Sequence, residues 1–304
     1  MQFTRRRFLA ISAALAVAGP ARATPVHQWR GVALGADASI TLAHADAEAI
    51  VQRALREIVR LERVFSLHDP DSELVRLNTA GRLDYPSFEL LECLSIAGAV
   101  HAATGGRFDP TIQPLWAFYA EQISAGRRAD PEAIARILPR IGWQHVRLDA
   151  RAITLRPGMA LSLNGIAQGF IADKVADLLR AEGLRDVLVN TGEFVALGGQ
   201  PQGDAWSVAL NDGQTLFPDA VHLRDGALAS SSPHAITFDA SGQVSHILDP
   251  RSGAAAPATW RLVSVTAPRA ALADALSTAC CLMDRAEITA ALVAFPGAAL
   301  AHAG

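Results

Sequence analysis

The sequence predicts a single α+β domain with a mixed sheet, occupying residues 24–304. Three observations carry that expectation. Strand-length apolar runs bounded by turn residues recur along the chain, and a few stretches show helical apolar spacing. The two kinds of segment are intermingled without strict alternation, which argues against a doubly wound parallel sheet. No internal repeat, low-complexity tract or linker breaks the run, so one domain is expected.

Residues 29–42 read as a strand pair or one long strand, with Gly35 at a bend. Asp46 stands where an N-cap is needed for a helix ending near Phe65, in which Ile50, Ala54, Ile58, Leu61 and Phe65 share one face. Residues 66–72 form a loop. A second helix covers residues 87–103, with Leu90, Leu94 and Ala97 inward, and stops at Thr104-Gly105-Gly106. Asp130-Pro131-Glu132 opens a short helix, because Asp caps and Pro suits the first helical position. Strands are expected at 146–148, 153–155 and 161–163, the last running straight into a helix over 165–182 that Gly183 closes. Further strands are expected at 186–190, 206–210, 220–223, 235–238, 244–248 and 261–266, then a helix over 270–283.

Residues 1–23 combine Arg5-Arg6-Arg7-Phe8-Leu9, an apolar run to Ala18 and a small-residue cleavage site, Ala21-Arg22-Ala23. The run is too short to span a bilayer, so a signal peptide is the reading. The paired arginines read as a twin-arginine signal, with an ordinary Arg-rich Sec signal as the alternative; the first predicts export to the periplasm by the twin-arginine machinery, in a folded state. Half of the residues are hydrophobic, enough for a substantial core, and the net charge of −3 argues against nucleic-acid binding. Cys93, Cys280 and Cys281 lie in apolar stretches and read as buried thiols without a disulfide framework.

Four segments combine glycine, polar residues and a turn at the end of an apolar element. In Ser162-Leu163-Asn164-Gly165-Ile166-Ala167-Gln168-Gly169 a strand meets a helix start, whose free amides favour phosphate. The glycine spacing fits neither a Walker loop nor a dinucleotide fingerprint, and taken alone the local pattern is better read as a plain tight turn with glycine packing. Asp274, Ser277 and Thr278 fall on one helix turn, an oxygen set that suits magnesium. A capping Asp and a back-bonding Thr are the plainer alternative. Residues 245–253 place His246 and Asp249 near one turn, as an acid/base pair or as a strand-edge His and an Asx-turn. Residues 104–116 suggest a shaped rigid loop with aromatics for a flat ring or for the core.

In order and wording these segments resemble the ApbE-like FAD:protein FMN transferases. The matching stretches are Phe65-Ser66-Leu67-His68 through Asp71-Ser72-Glu73 to Asn78, Gly106 to Leu115, Asn164 to Gly169, Ser245 to Gly253, and Ala273-Asp274-Ala275-Leu276-Ser277-Thr278. Together they span roughly residues 32–283.

The resemblance implies one α+β domain with a cleft for FAD. It implies magnesium held by Asp274, Thr278, Ser277 and the Gly165 carbonyl. FAD, as substrate, would touch Leu34, His68, Arg107, Phe108, Asp109, Ser162, Gln168 and Leu248, with His246 and Asp249 at the pyrophosphate as catalytic candidates. The implied reaction moves FMN from FAD onto a Ser or Thr hydroxyl of a partner flavoprotein and releases AMP. Such chemistry asks mainly for positioning and charge neutralisation. This chain departs from the family pattern at Ser162 (commonly Asp), Gln168 (commonly Lys or Glu), Thr191-Gly192-Glu193 (commonly Gly-Gly-Asp), His68 (frequently Tyr) and Leu34 (commonly Met). Gln168 and the twin-arginine segment resemble the branch linked to nitrous oxide reductase maturation, which implies a membrane-bound flavoprotein as acceptor. A periplasmic FAD carrier without chemistry is the alternative that Ser162 and Gln168 leave open.

Overall fold

A computed structural model describes residues 26–33, 35–239 and 242–304. The segment read as a signal, residues 1–23, and Leu34 lie outside them. β1 (Val26–Ala33) and β2 (Ala36–Ala43) form a hairpin across Gly35, so residues 29–42 are two strands. α1 (Ala47–Phe65) buries the expected face. Asp46 occupies its N-cap position without capping it: its amide donates to His44 Nδ1 at 3.0 Å.

α2 (Glu73–Ala80) is a short helix that periodicity did not reveal. Ser72 Oγ caps it by accepting from Val75 N, and left-handed Gly81 ends it. Next come β3 (Arg82–Asp84) and α3 (Phe88–Ala103), the latter capped by Ser87. The stretch expected as a loop over 104–116 is largely helical: a single turn at Pro110–Ile112 leads into α4 (Gln113–Ser124). Pro114 disguises this helix in the sequence, yet proline is tolerated in a first turn, whose amides have no intrahelical acceptor. Asp130 caps α5 (Pro131–Ile137), accepting from the amides of Glu132 and Ala133. β4 (Arg147–Leu148) and β5 (Ala152–Thr154) join β3 in a small sheet ordered β3-β5-β4.

The rest of the chain supplies α6 (Ala167–Ala181), β6 (Val187–Asn190), β7 (Phe194–Leu197), β8 (Trp206–Asn211), β9 (Leu216–Leu223) and β10 (Gly226–Ser231). It ends with β11 (Val263–Ala267), α7 (Ala270–Cys280), α8 (Arg285–Val293) and β12 (Ala299–Ala303). The main sheet runs β1-β2-β6-β7-β10-β11-β12 and is antiparallel at every pairing. The α+β class therefore mixes helices with a large antiparallel sheet. Both sheet faces are covered. Val187, Val189, Val195 and Leu197 face the core shared with α1, α3, α6 and α7. Leu188, Phe194, Ala196 and Leu228 face the β8–β9 hairpin around fully buried Trp206. Strands covered on both faces read as unbroken apolar runs, which is why β6 was conspicuous in the sequence.

Three expected strands are absent as strands. Residues 235–238 and 244–248 contribute only the isolated bridges Thr237–Ser245 and Leu248–Ala255. Residues 161–163 are buried but join no ladder. The Asn78 side chain takes the place of a neighbouring strand: its Oδ1 accepts from Leu161 N at 2.7 Å and its Nδ2 donates to Leu161 O at 2.8 Å. Ser162 N donates to Pro110 O at 2.7 Å. Replacing Asn78 with Ala would leave two main-chain groups of Leu161 without partners, and should lower unfolding free energy by about 2–4 kcal/mol in a denaturant titration.

Candidate active site

The centre of the site is where the first turn of α6 meets α7. Gly169 has no room for a side chain, since a Cβ there would run into the carbonyl of Ala270. That close approach lets Gly169 N donate to Asp274 Oδ2 at 3.2 Å. Asp274 is 3% exposed, and among the described residues no Lys, Arg or His forms an ion pair with it. Burial pushes its carboxyl up to about 7, against the Gly169 amide, and nearby Asp173 adds to the rise.

One turn along α7, Thr278 comes against the turn before α6: a Cβ at Gly165 would sit 2.9 Å from Thr278 Oγ1 and 3.4 Å from Phe108 Cε2. Gly165, Phe108 and Thr278 therefore converge. Ser277 is fully buried and already engaged, its Oγ donating to Asp274 O at 3.0 Å and lying 2.7 Å from Ser231 Oγ. Ser231, at the end of β10, also lies 3.3 Å from Thr278 Oγ1. Sequence reasoning missed Ser231; its one signal was the run Ser230-Ser231-Ser232 at a strand end. Glu193, seen in the sequence only as a departure from pattern, is buried and accepts from Ser230 N at 3.1 Å. Burial, with Asp274 nearby, pushes its carboxyl well above the usual carboxylate value.

The remaining candidates are held by contacts of their own. A Cβ at Gly192 would run into the Gln168 side-chain amide, and the Gln168 main-chain carbonyl accepts from Thr191 Oγ1 at 3.0 Å. Ser162 is nearly buried beside the Gly165 turn. The Asp109 carboxylate organises its own loop, accepting from Thr111 N (2.8 Å), Thr111 Oγ1 (2.6 Å) and Trp143 N (3.0 Å). Arg107 pairs with Glu287 and donates to Leu282 O at 3.2 Å. Leu248 belongs to a small core with Leu115, Tyr119 and Ile141. His68 is exposed on its loop, and among the described residues no hydrogen bond or ion pair joins it to the α7 side chains. A cavity of about 390 Å³ opens between the loops that carry Asp109 and Arg251.

His246 and Asp249 differ in chemistry. His246 Nδ1 lies 2.7 Å from Ile236 O, and a carbonyl only accepts, so Nδ1 carries the hydrogen and the neutral ring keeps its lone pair on Nε2. Burial holds this imidazole below its usual value, although the bond to Ile236 opposes the shift. The Asp249 carboxylate is gripped by Arg251, with Nε to Oδ1 at 3.0 Å and Nη2 to Oδ2 at 2.8 Å. Burial would raise that carboxyl, but Arg251 outweighs it, Arg107 adds to the lowering, and the group stays below the ordinary carboxylate value.

The ApbE family model matches residues 34–300. The chain belongs to the ApbE family. An FAD:protein FMN transferase of Treponema pallidum is 32% identical over 280 residues, covering 82% of this chain and 76% of that protein. One from Haemophilus influenzae is 28% identical over 297 residues, covering 89% and 84%. Among solved structures, the ApbE protein of Thermotoga maritima superposes with a TM-score of 0.81 at 25% identity, covering 91% of this chain and 93% of that one. The apo flavinyl transferase ApbE of Pseudomonas stutzeri superposes at 0.78 with 24% identity and 88% of each chain, which shows a common fold.

Among the described residues, no group of three or more His, Cys, Asp or Glu side chains could hold a metal. The set at Asp274 is of another kind: one buried carboxylate without a cationic partner, the Thr278 hydroxyl and the backbone of Gly165. Hard oxygen donors with a single carboxylate fit magnesium, which keeps waters and phosphate oxygens as its other ligands. The sign of the pH effect follows from the raised Asp274 pKa. Below about pH 4 the carboxyl is protonated whether the chain is folded or not. Between pH 4 and 7 the unfolded chain releases a proton that the folded one holds, so the metal-stripped protein loses stability as pH rises through that window. Thermal unfolding in EDTA from pH 4.5 to 8 should show that decline, and Asp274→Asn should reduce its slope.

Proposed function

We infer that this chain is an FAD:protein FMN transferase that moves FMN from FAD to a Ser or Thr hydroxyl of a partner protein. One observation carries the reading: in a chain matched by the ApbE family over 34–300, buried Asp274 and Thr278 of α7 meet the Gly165 turn. Residues brought together from separate motifs by tertiary packing are the usual make-up of a reaction site.

In this reading Asp274, Thr278 and the Gly165 carbonyl hold magnesium, with Ser277 supporting Thr278 through Ser231. The ion, when bound, supplies charge neutralisation at the FAD pyrophosphate. The amides at the start of α6 add a positive dipole facing the same charge. The acceptor oxygen bonds to the FMN phosphorus, the phosphorus–oxygen bond to AMP breaks, and AMP leaves with the electron pair. His246 takes the hydroxyl proton on Nε2, the one ring nitrogen with a free lone pair. Asp249 is too weak a base while Arg251 grips it, and serves to hold Arg251 beside the cavity. Arg107, Phe108, Ser162, Gln168, Leu248, Leu34 and His68 are the proposed surroundings of FAD, with Asp109 shaping the loop that presents Phe108.

The leader, residues 1–23, supports export through the twin-arginine machinery and work in the periplasm by the mature domain, residues 24–304. Gln168 together with that leader supports a membrane-bound flavoprotein of nitrous oxide reduction as the acceptor.

Mature protein, FAD, magnesium and a candidate acceptor should give a fluorescent acceptor band that survives denaturation, with release of AMP, and EDTA should abolish both. Tight FAD binding without transfer to any of several acceptors would replace this reading with a carrier. Asp274→Ala should reduce transfer to background while circular dichroism stays unchanged. His246→Ala should lower kcat by roughly 10²–10⁴-fold and change the FAD dissociation constant little; an equal loss in both would make it a binding residue.

A further inference from the structure

We propose that Asp173 is a positioning residue for the transfer reaction, holding the Asp274 carboxylate and the Gly165 turn in register through reciprocal bonds in which a second-turn carboxylate of each helix, α6 or α7, accepts from first-turn amides of the other. The proposal rests on the transferase reading above. Gly169, Asp173 and Asp177 are spaced four apart, so they form one stripe along α6. Each meets a different part of the α7 start. Gly169 N donates to Asp274 Oδ2 at 3.2 Å, which gives one of the unpaired first-turn amides of α6 an acceptor on α7. In return, Asp173 Oδ1 accepts from Ala270 N at 2.8 Å and Oδ2 from Ala271 N at 3.0 Å.

α7 has no cap of its own, because Arg269 at its N-cap position makes no capping bond. A carboxylate from a neighbouring helix takes that role. Arg269 closes the outside of the junction, with Nη1 and Nη2 on the Asp177 carboxylate at 2.8 and 2.7 Å and Nε 3.4 Å from Asp173 Oδ2.

Ordinary helix packing would need none of this. A junction between two apolar helices is held by side-chain burial, whereas here a charged residue with 2% exposure is spent on two amides. The bonds remove the sliding and rotation that apolar packing permits, since each has a direction. The same helix pair brings together Gly165 and Thr278, whose mutual approach leaves no space for a side chain at Gly165. Displacement of a reacting group by about 1 Å can cost a hundredfold in rate, so rigidity of this junction acts on kcat.

The experiment compares wild type, Asp173→Asn and Trp206→Phe. Asn keeps the shape of Asp173 but turns an NH2 toward amides that need acceptors. Trp206→Phe lowers stability from the far face of the sheet without touching α6 or α7. Measured are kcat, KM for FAD, the magnesium concentration at half-maximal rate, and the magnesium concentration at half of the magnesium-dependent rise in Tm without substrate. For Asp173→Asn we expect kcat to fall roughly 10–100-fold with KM for FAD within about threefold, and both magnesium midpoints to rise about tenfold. Trp206→Phe should lower Tm and leave the four quantities unchanged. Should Asp173→Asn not fold, Arg269→Gln weakens the junction from its half-exposed side, with shifts of about threefold in the same direction.

Unchanged kcat and midpoints in the folded Asp173 or Arg269 variant, or losses matched by Trp206→Phe, would overturn the positioning role. The two readings fail separately. A wild type that transfers FMN without a divalent ion removes the magnesium assignment, and the kcat-to-KM split still decides on Asp173. A wild type that transfers no FMN removes the transferase, and the magnesium thermal shift decides instead.

Discussion

At the α6–α7 junction, the carbonyl of Ala270 fills the space where residue 169 would carry a side chain, and the two helix starts exchange amide-to-carboxylate bonds across that gap. The rest of the molecule is arranged around this contact. α7 rests on β10 and β11, and α6 on β7, so the sheet sets the depth of both helices. The crossing sets their register, and that register decides whether Thr278 reaches the Gly165 turn. Ser231 ties the same spot to the end of β10.

The electrostatics of the junction follow from its dryness. Asp173, Glu193 and Asp274 are all nearly inaccessible, and all are pushed toward the neutral form first by burial. They differ in their compensation. Asp173 has two amides and a guanidinium, and rises only to about 6. Asp274 has one amide and no cation, which makes it the carboxylate with most to gain from a positive charge. At His246 and Asp249 the logic is reversed. Asp249 is saturated by Arg251 and remains an anion, while His246 is kept neutral with one nitrogen free. Two residues that looked like equal candidates for proton transfer are thus divided by their immediate partners.

Around this centre the loops are held by side chains acting as strands would. Asn78 supplies both halves of a ladder pairing to Leu161. Asp109 gathers Thr111 and Trp143, and Tyr119 donates to Gly253 O at 2.9 Å to hold the loop that carries Asp249. These bonds fix loops without extending the sheet, and the Asn78 pairing explains why the strand-like segment at 161–163 is not a strand.

What the sequence by itself determined is the class of the fold, the helices α1, α3, α6 and α7, the buried strands β6 and β11 and the family, with its five ordered motifs. Each of these rests on local signals: apolar period, caps such as Ser87 and Asp130, and motif wording. Short elements escaped, among them α2, α4, β7, β10, α8 and β12. Two turns of helix, or four to six strand residues, carry too little periodicity to stand out, and Pro114 in α4 reads as a break. Only the tertiary structure decided which polar residues act together. Asp173 is one of two aspartates in α6 and Ser231 one serine among three. Their meaning comes from neighbours about a hundred and about fifty residues away in the chain. The same holds for the division between His246 and Asp249, because a side chain's proton affinity depends on burial and on its partners, and neither is written in local sequence.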